Sequence, residues 1–272
     1  PNDDNGYDIS DYRAIMSEFG TMEDFSELLE GLHERNIKFI MDVVVNHSSD
    51  EHEWFKQSRS SRDNPYRDYY HWWPAEKGKP NHRWSFFDEN SDAWKYDAQT
   101  NAYYLHYFSQ KQPDLNWENP KVRQEVYNIM KFWADKGVDG FRLDAFQFVS
   151  KDIEFPPFPE GYDDNIPSVI KYHGMGPHIH HYLREMYNEV LSKYDVFAVS
   201  EGAGSTLDDA HSIVDEDRNE LQMVYHFEGT DLVSSLDKCT LKDFKASFTK
   251  WETSFENKGW ISMYLSNHDQ SR

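Results

Sequence analysis

The sequence predicts an α/β fold with a parallel sheet. Three observations carry this: five short, near-continuous apolar runs, helical stretches between them, and polar groups at the end of each run. The runs are IKFIMDVVVNH (37–47), VDGFRLDAF (138–146), DVFAVSEG (195–202), LQMVYHFEG (221–229) and WISMYLSNHD (260–269). Runs with so few polar interruptions suit strands buried on both faces.

The helices follow from caps and stripes. Residues 21–35 begin TMED, with Thr21 as N-cap and Asp24 at N3, and Phe25, Leu28, Leu29 and Leu32 form the stripe. Residues 119–136 begin Asn-Pro, place Val122, Val126, Ile129, Met130 and Trp133 at helical spacing, and meet Gly137. Residues 177–193 start at Pro177 and align Ile179, Leu183, Met186 and Val190; residues 241–257 carry Leu241, Phe244, Phe248 and Trp251. Strand and helix in alternation imply right-handed βα units.

The stretch after His47 differs. It contains WWPAEKGKPNHRW and many Tyr, Trp, Asp and Asn residues, and it is too long for a plain loop. The expected organisation is a first α/β part (1–47), a small inserted domain (48–118) and a second α/β part (119–272). With five strands and no end cap, the chain is expected to be incomplete; an eight-stranded barrel would lack its first two strands and its last.

Composition narrows the function. The 272 residues are 38% hydrophobic, enough for one large core with or without a small satellite. Aromatic residues reach 16%, which fits a stacking surface for sugars or an aromatic-rich core. The formal charge of −21 repels phosphate backbones and anionic membranes, so neither nucleic acid nor membrane is an expected partner; solubility alone would also explain it. A single cysteine, Cys239, excludes an internal disulfide and a Cys-based metal site. It fits a reducing compartment, and a cytoplasmic location is expected. No run of 18 apolar residues spans a membrane.

The run ends hold the candidate chemistry: Asn46 and His47, then Arg142 and Asp144, then Glu201, then Glu228, then Asn267, His268 and Asp269. In parallel α/β folds the C-terminal strand ends form the active face. In FRLD, residues two apart share one side, so Arg142 faces with Asp144. The guanidinium is expected to keep Asp144 ionised, as a nucleophile or a metal ligand; a structural ion pair is the plainer reading. Glu201 closes the apolar strand VFAVSE, and an apolar wall would favour its neutral form, suited to a general acid. One ionised and one protonated carboxyl on adjacent strands are the pair used in glycoside hydrolysis.

Other chemistries lack their motifs. There is no G-x-S-x-G, GAGST (202–206) lacks the lysine of a phosphate loop, and GMG (174–176) lacks its third glycine. The five-residue spacing of His47 and His52 fits no standard metal pair, and NHS (46–48) sits at a strand end where a glycan would not fit.

The motifs resemble the α-amylase superfamily of glycoside hydrolases (glycoside hydrolase family 13), in particular its oligo-1,6-glucosidase and α-glucosidase branch. DVVVNH (42–47), GFRLD (140–144), SEG (200–202) and SNHD (266–269) are similar to its four main conserved segments in order, and QPDLNW (112–117) to a fifth. The resemblance implies a (β/α)₈ barrel, of which about strands 3–7 are present, with a small domain inserted after the third. It implies that Asp144 is the nucleophile, Glu201 the acid and base, and Asp269 a ligand of two sugar hydroxyls. Arg142 would orient Asp144, while His47 and His268 hydrogen-bond the sugar. Tyr7 and Asp8, in YDISDY (7–12), would stack on the glucose and close the pocket end, giving removal of single units. Phe108 is a candidate wall. Ala145, after the nucleophile, favours α-1,4 over α-1,6 linkage by the branch's pattern. The expected partner is a small neutral oligosaccharide, and the alternatives are isomaltase, sucrose or maltose isomerase, or a non-catalytic scaffold. No cofactor is required for the chemistry, and no metal ligand is assigned. By the resemblance, the family's metal loop, where a structural calcium ion would sit, would lie upstream of Pro1, and PNDDN (1–5) does not reproduce it.

Overall fold

The structure, a computed structural model, describes residues 1–87, 92–161, 166–202, 206–234 and 239–269. Residues 203–205 of GAGST lie outside the described residues. In chain order, α1 (Met22–His33) leads to β1 (Ile40–Val44), and α2 (Glu53–Ser60) opens the insertion. The insertion carries β2 (Trp72–Pro74), β3 (Trp94–Asp97) and β4 (Ala102–Leu105) before α3 (Pro120–Asp135) returns to β5 (Gly140–Asp144). Then come α4 (Ile166–His173), α5 (Ile179–Met186), which runs into a π-helical turn (Tyr187–Leu191), and β6 (Phe197–Glu201). The rest is α6 (Leu207–Val214), β7 (Met223–Tyr225), α7 (Glu228–Ser234), α8 (Leu241–Ser254) and β8 (Trp260–Ser262).

The main sheet is parallel in the order β1-β5-β6-β7-β8. Each strand neighbours the next one in the sequence of the sheet, the succession of a (β/α) barrel. The insertion forms its own antiparallel sheet, β2-β4-β3. Beside the unpaired edge of β1 lies an apolar groove of about 530 Å³, whose lining includes Ile15, Phe19, Leu28, Phe39 and Met41.

Local chemistry sets the element ends. Thr21 and Asp24 form the expected capping box, and Asn119 caps α3 by accepting from the Lys121 N–H, with Pro120 at the first turn. Gly137 follows α3 at φ +100°, where other residues would be strained. The α3 stripe is buried throughout: Val122, Val126, Ile129, Met130 and Trp133 face Phe141, Leu143 and Leu183 in one core. Each such side chain contributes about 1.5–3 kcal/mol by leaving water. In α1 only Phe25 and Leu29 are buried, while Leu28 lies 53% exposed against the groove.

The observed strands are shorter than the apolar runs. The excess residues turn out of the sheet: Asn46 and His47 leave β1 toward the insertion, Ala145 takes φ +47°, and α7 begins at Glu228. The stretch 177–193 is an α-helix that loosens into the π turn. α4, α6 and α7 were not expected, although Thr206 and Asp209 of α6 form a capping box.

The insertion is bound to the sheet through QPDLNW. His47 bridges Asp114, the Leu115 N–H donates to the Asn46 carbonyl at 2.9 Å, and the buried Trp117 Nε1–H donates to the Val45 carbonyl at 2.8 Å. Farther out, His173 at the end of α4 stacks face to face on Tyr107 of the insertion, with ring centroids 4.6 Å apart. It is buried and neither ring nitrogen has a hydrogen-bond partner. Burial, with the positive charges of Arg83, Lys151 and His82, lowers its pKa to about 3. A histidine lowered in the folded state stabilises above its unfolded pKa of about 6.5 and loses that contribution as pH falls toward its folded value. We predict that His173→Phe flattens the acid loss of stability between about pH 6.5 and 4 by up to roughly 1.4 kcal/mol per pH unit. Urea midpoints of variant and parent at several pH values check this.

Candidate active site

Strand parity assembles the site. In the parallel register Asp42 pairs with Arg142, Val44 with Asp144, Arg142 with Val199, and Glu201 with Tyr225. Laterally paired residues point to the same face. Asp42, Arg142, Asp144, Glu201 and Tyr225 therefore rise on the inner face, while Val43, Phe141, Leu143, Ala198 and Val224 pack into the core.

Arg142 is the hub. Its Nη1 donates to Asp144 Oδ1 at 2.5 Å and to Asp42 Oδ1 at 2.8 Å. Its Nη2 meets Glu201 Oε2 at 2.7 Å and Tyr225 Oη at 2.6 Å, and Nε donates to Tyr225 Oη at 2.8 Å. Burial works against the charge, but Glu201, Asp144 and Asp42 outweigh it and hold the guanidinium more firmly protonated than usual.

The protonation pattern departs from the sequence expectation. Burial pushes the Asp144 carboxyl well above the usual carboxylate range, the charge of Glu201 adds to this, and Arg142 opposes it without prevailing. Arg142 draws the two carboxyls together, with Asp144 Oδ1 2.5 Å from Nη1 and Glu201 Oε2 2.7 Å from Nη2. Two donors rather than an apolar wall meet Glu201: Arg142 Nη2 and the Ala145 N–H, at 3.1 Å from Oε2. Ala145 is buried and left-handed (φ 47°, ψ 26°), a conformation that costs a non-glycine residue about 1–2 kcal/mol. That strain turns its amide toward Glu201. Gly202 follows at φ +67°, where a Cβ would stand 2.4 Å from Gln147 Nε2.

YDISDY forms one wall. Tyr7 donates to Asp42 Oδ2 at 3.3 Å, contacts His268 Nε2 at 3.0 Å and stacks on the His268 ring. Asp8 is buried, and its two oxygens accept the N–H groups of Asp3 and Asp4. Tyr12 donates to the His47 carbonyl and packs in the core. His47 is buried; its Nε2 lies 3.0 Å from the Tyr7 carbonyl and 3.1 Å from Gln112 Nε2. Burial lowers its pKa to about 4, so its ring is neutral at pH 7. Phe108 tilts against His47 at 5.0 Å and stacks on Phe86. His268 and Asp269 lie beyond the end of β8; Asp269 is 60% exposed, faces His268 at 3.4 Å and stays outside the Arg142 cluster among the described residues.

Other run-end groups have structural partners. Glu228 joins α7 to α8: its carboxylate accepts from Ser247, Lys250 and Trp251, so it does not belong with the strand-end cluster. His52 caps α2, and Asp3 and Asp4 of PNDDN are met by Lys111 and Gln112. Among the described residues no group of three or more His, Cys, Asp or Glu side chains could hold a metal ion. No helix among them is long and apolar enough to cross a membrane.

Asp42, Tyr225, Gln112 and Lys151 escaped the sequence reading. Asp42 had a signal, an acid inside an apolar strand. Lys151 is fully buried, its ammonium 3.1 Å from Asp114 Oδ2, 3.0 Å from Asn46 Oδ1 and 2.6 Å from the Phe148 carbonyl. Burial pushes Asp114 up and Lys151 down, and each partner opposes the other's shift.

Carboxyls at adjacent parallel strand ends, gripped by one arginine, place this chain among the (β/α)-barrel domains that carry an acid–base carboxyl pair. The family model for the alpha amylase catalytic domain matches residues 1–272, and the chain belongs to that family. It is 53% identical to an oligo-1,6-glucosidase of Parageobacillus thermoglucosidasius, over 100% of this chain and 49% of that protein. It is 45% identical to an alpha-glucosidase of Schizosaccharomyces pombe, with the same coverage. Among solved structures, an isomaltulose synthase variant from Erwinia rhapontici NX5 in complex with sucrose superposes with a TM-score of 0.91 at 43% identity, over 98% of this chain and 48% of that one. The chain thus spans about half the length of the relatives it matches.

The buried ion pair gives a direct test. We expect Lys151→Met to destabilise the protein by about 3–5 kcal/mol, because it leaves Asp114 as an uncompensated buried charge. Adding Asp114→Asn is expected to recover part of that loss, read as the urea midpoint of single and double variants.

Proposed function

We propose that this chain is the catalytic part of a retaining α-glucosidase that removes single glucose units from the non-reducing ends of short α-glucosides. The observation that carries the reading is that one guanidinium holds both carboxyls at neighbouring strand ends, with Asp144 Oδ1 2.5 Å from Nη1 and Glu201 Oε2 2.7 Å from Nη2 of Arg142. An inverting enzyme needs roughly 6.5–9.5 Å between its carboxyls to admit a water, whereas a nucleophile and an acid stand closer, near 5–5.5 Å. Asp144 attacks the anomeric carbon, and the bond to the leaving oxygen breaks as Glu201 gives that oxygen a proton. Glu201 then takes a proton from water, whose oxygen displaces Asp144 and releases α-glucose. The first step requires the proton on Glu201 and a charged Asp144.

The remaining roles follow from position. Arg142 orients Asp144, His47 and His268 hydrogen-bond the sugar, and Tyr7 stacks on it. Asp269 binds two hydroxyls of the sugar. Phe108 forms a wall, and Asp8 closes the pocket end, directly or by fixing the turn that it caps. The chemistry needs no cofactor.

For linkage, the small Ala145 favours α-1,4. A second reading, α-1,6, is favoured by the oligo-1,6-glucosidase names of the relatives that are 48–53% identical. Isomerisation is the third outcome to separate, since several similar structures are isomaltulose synthases.

The full-length protein assayed on maltose, isomaltose, sucrose and starch tests these readings. We expect α-glucose as the first product anomer and a loss of activity of at least roughly 10³-fold in Asp144→Asn. Release of β-glucose, or undiminished turnover by that variant, would sink the mechanism. Starch cleaved mid-chain would remove the exo reading, and a sucrose isomer in place of glucose and fructose would mark a transferring enzyme. Ala145→Val should raise the isomaltose-to-maltose ratio of kcat/KM by about 5–150-fold, the 1–3 kcal/mol available to a methyl-scale change. An unchanged ratio removes Ala145 as the linkage determinant.

A further inference from the structure

Tyr225 has contacts that the proposed mechanism does not use. Its hydroxyl takes two of the five contacts around the Arg142 guanidinium, from Nε at 2.8 Å and Nη2 at 2.6 Å. The other three go to carboxylates, so Tyr225 is the uncharged acceptor of the set. A phenol oxygen has two lone pairs, and Arg142 engages both; the O–H proton remains free to point elsewhere.

The ring is held in place. Tyr225 pairs with Glu201 across β6 and β7, so the phenol stands beside that carboxylate. Phe227 and Tyr264 meet the ring edge-on at 6.0 and 5.5 Å. Nη2 donates to Tyr225 Oη and forms an ion pair with Glu201 Oε2 at 2.7 Å. The phenol therefore fixes the rotation of the guanidinium about its Cδ–Nε bond. Without it, the Nε–H and one Nη2–H lose their acceptor, and the fork is free to turn toward the three carboxylates. A fourth carboxylate in this position would hold the fork equally well but add to the repulsion that already acts on Asp144.

We propose that Tyr225 is a positioning residue: its hydroxyl locks the Arg142 fork and thereby sets the relative placement of Asp144 and Glu201. This rests on the glycosidase reading for its effect on rate, but not for its effect on geometry.

The test uses Tyr225→Phe and Tyr225→Leu in the full-length protein, with three readouts: a crystal structure of Tyr225→Phe, melting temperatures, and kcat and KM on maltose and isomaltose across pH. The Phe variant should keep its melting temperature while Arg142 turns away from the former hydroxyl site. Its kcat should fall by roughly ten- to a hundredfold, the scale of a misplaced catalytic group. KM should stay within about twofold, and the acid limb of kcat/KM against pH should move by at least about half a unit. The Leu variant should lose as much kcat as the Phe variant, which assigns the effect to the hydroxyl. An unmoved Arg142 in the Phe variant, or a loss confined to Leu, overturns the proposal. A parent inactive on glucosides would instead defeat the glycosidase reading, and the crystal structure would still decide the role of Tyr225.

Discussion

The placement of Asp42, Asp144 and Glu201 at the sheet's polar end depends on the guanidinium of Arg142. Three carboxylates on three strands would repel one another if they were left to themselves. One planar fork with five donors holds all three, and it does so because Asp42, Arg142, Glu201 and Tyr225 share the inward face of consecutive parallel strands. The fork is also rigid enough to demand a particular backbone: Ala145 adopts a left-handed conformation directly after Asp144, which brings its amide to the oxygen that Arg142 also grips. Strain of that kind persists only where the surroundings over-determine it. Here the helices behind β5 do so, with Phe141, Leu143 and Phe146 fully buried on either side of the site.

Beneath this cluster a second buried cation performs a different task. Lys151 ties the end of β1, through Asn46, to Asp114 of the insertion. Asp114 also accepts from the Tyr107 N–H, and Asn46 lies against His47. The insertion is thus fastened to the floor of the site by charge, in addition to the backbone bridges of QPDLNW. Phe108 belongs to the same segment and lies against His47, so the insertion and the end of β1 are mechanically linked.

Much of this was legible in the residues. Apolar runs located all five parallel strands, and caps located α1 and α3, because buried strands and capped helices have local signatures. Parity in FRLD placed Arg142 beside Asp144. The charge state of Asp144, however, was misread, because burial outweighs the guanidinium beside it. An apolar strand beside Glu201 says nothing of the Ala145 amide or the second arginine nitrogen, which reach it only after the chain turns. Tyr225 was invisible because tyrosine reads as an ordinary strand former within MVYHF. Lys151 was invisible because a lone lysine after a strand reads as solvated; its partner lies thirty-seven positions away, as counted between Asp114 and Lys151. Glu228 was misread for the converse reason: it ends an apolar run, but the sheet stops three residues earlier, at Tyr225.

The outer strands of the main sheet, β1 and β8, are each paired on one side. Among the described residues no strand pairs with their second sides, which are flanked by Ile40 at 46% exposure and Trp260 at 65%. Lysine, proline or a bulge commonly guards such edges, and neither β1 nor β8 contains lysine or proline. Among the described residues, β1 and β8 thus mark the two positions at which a further strand would extend the same parallel succession.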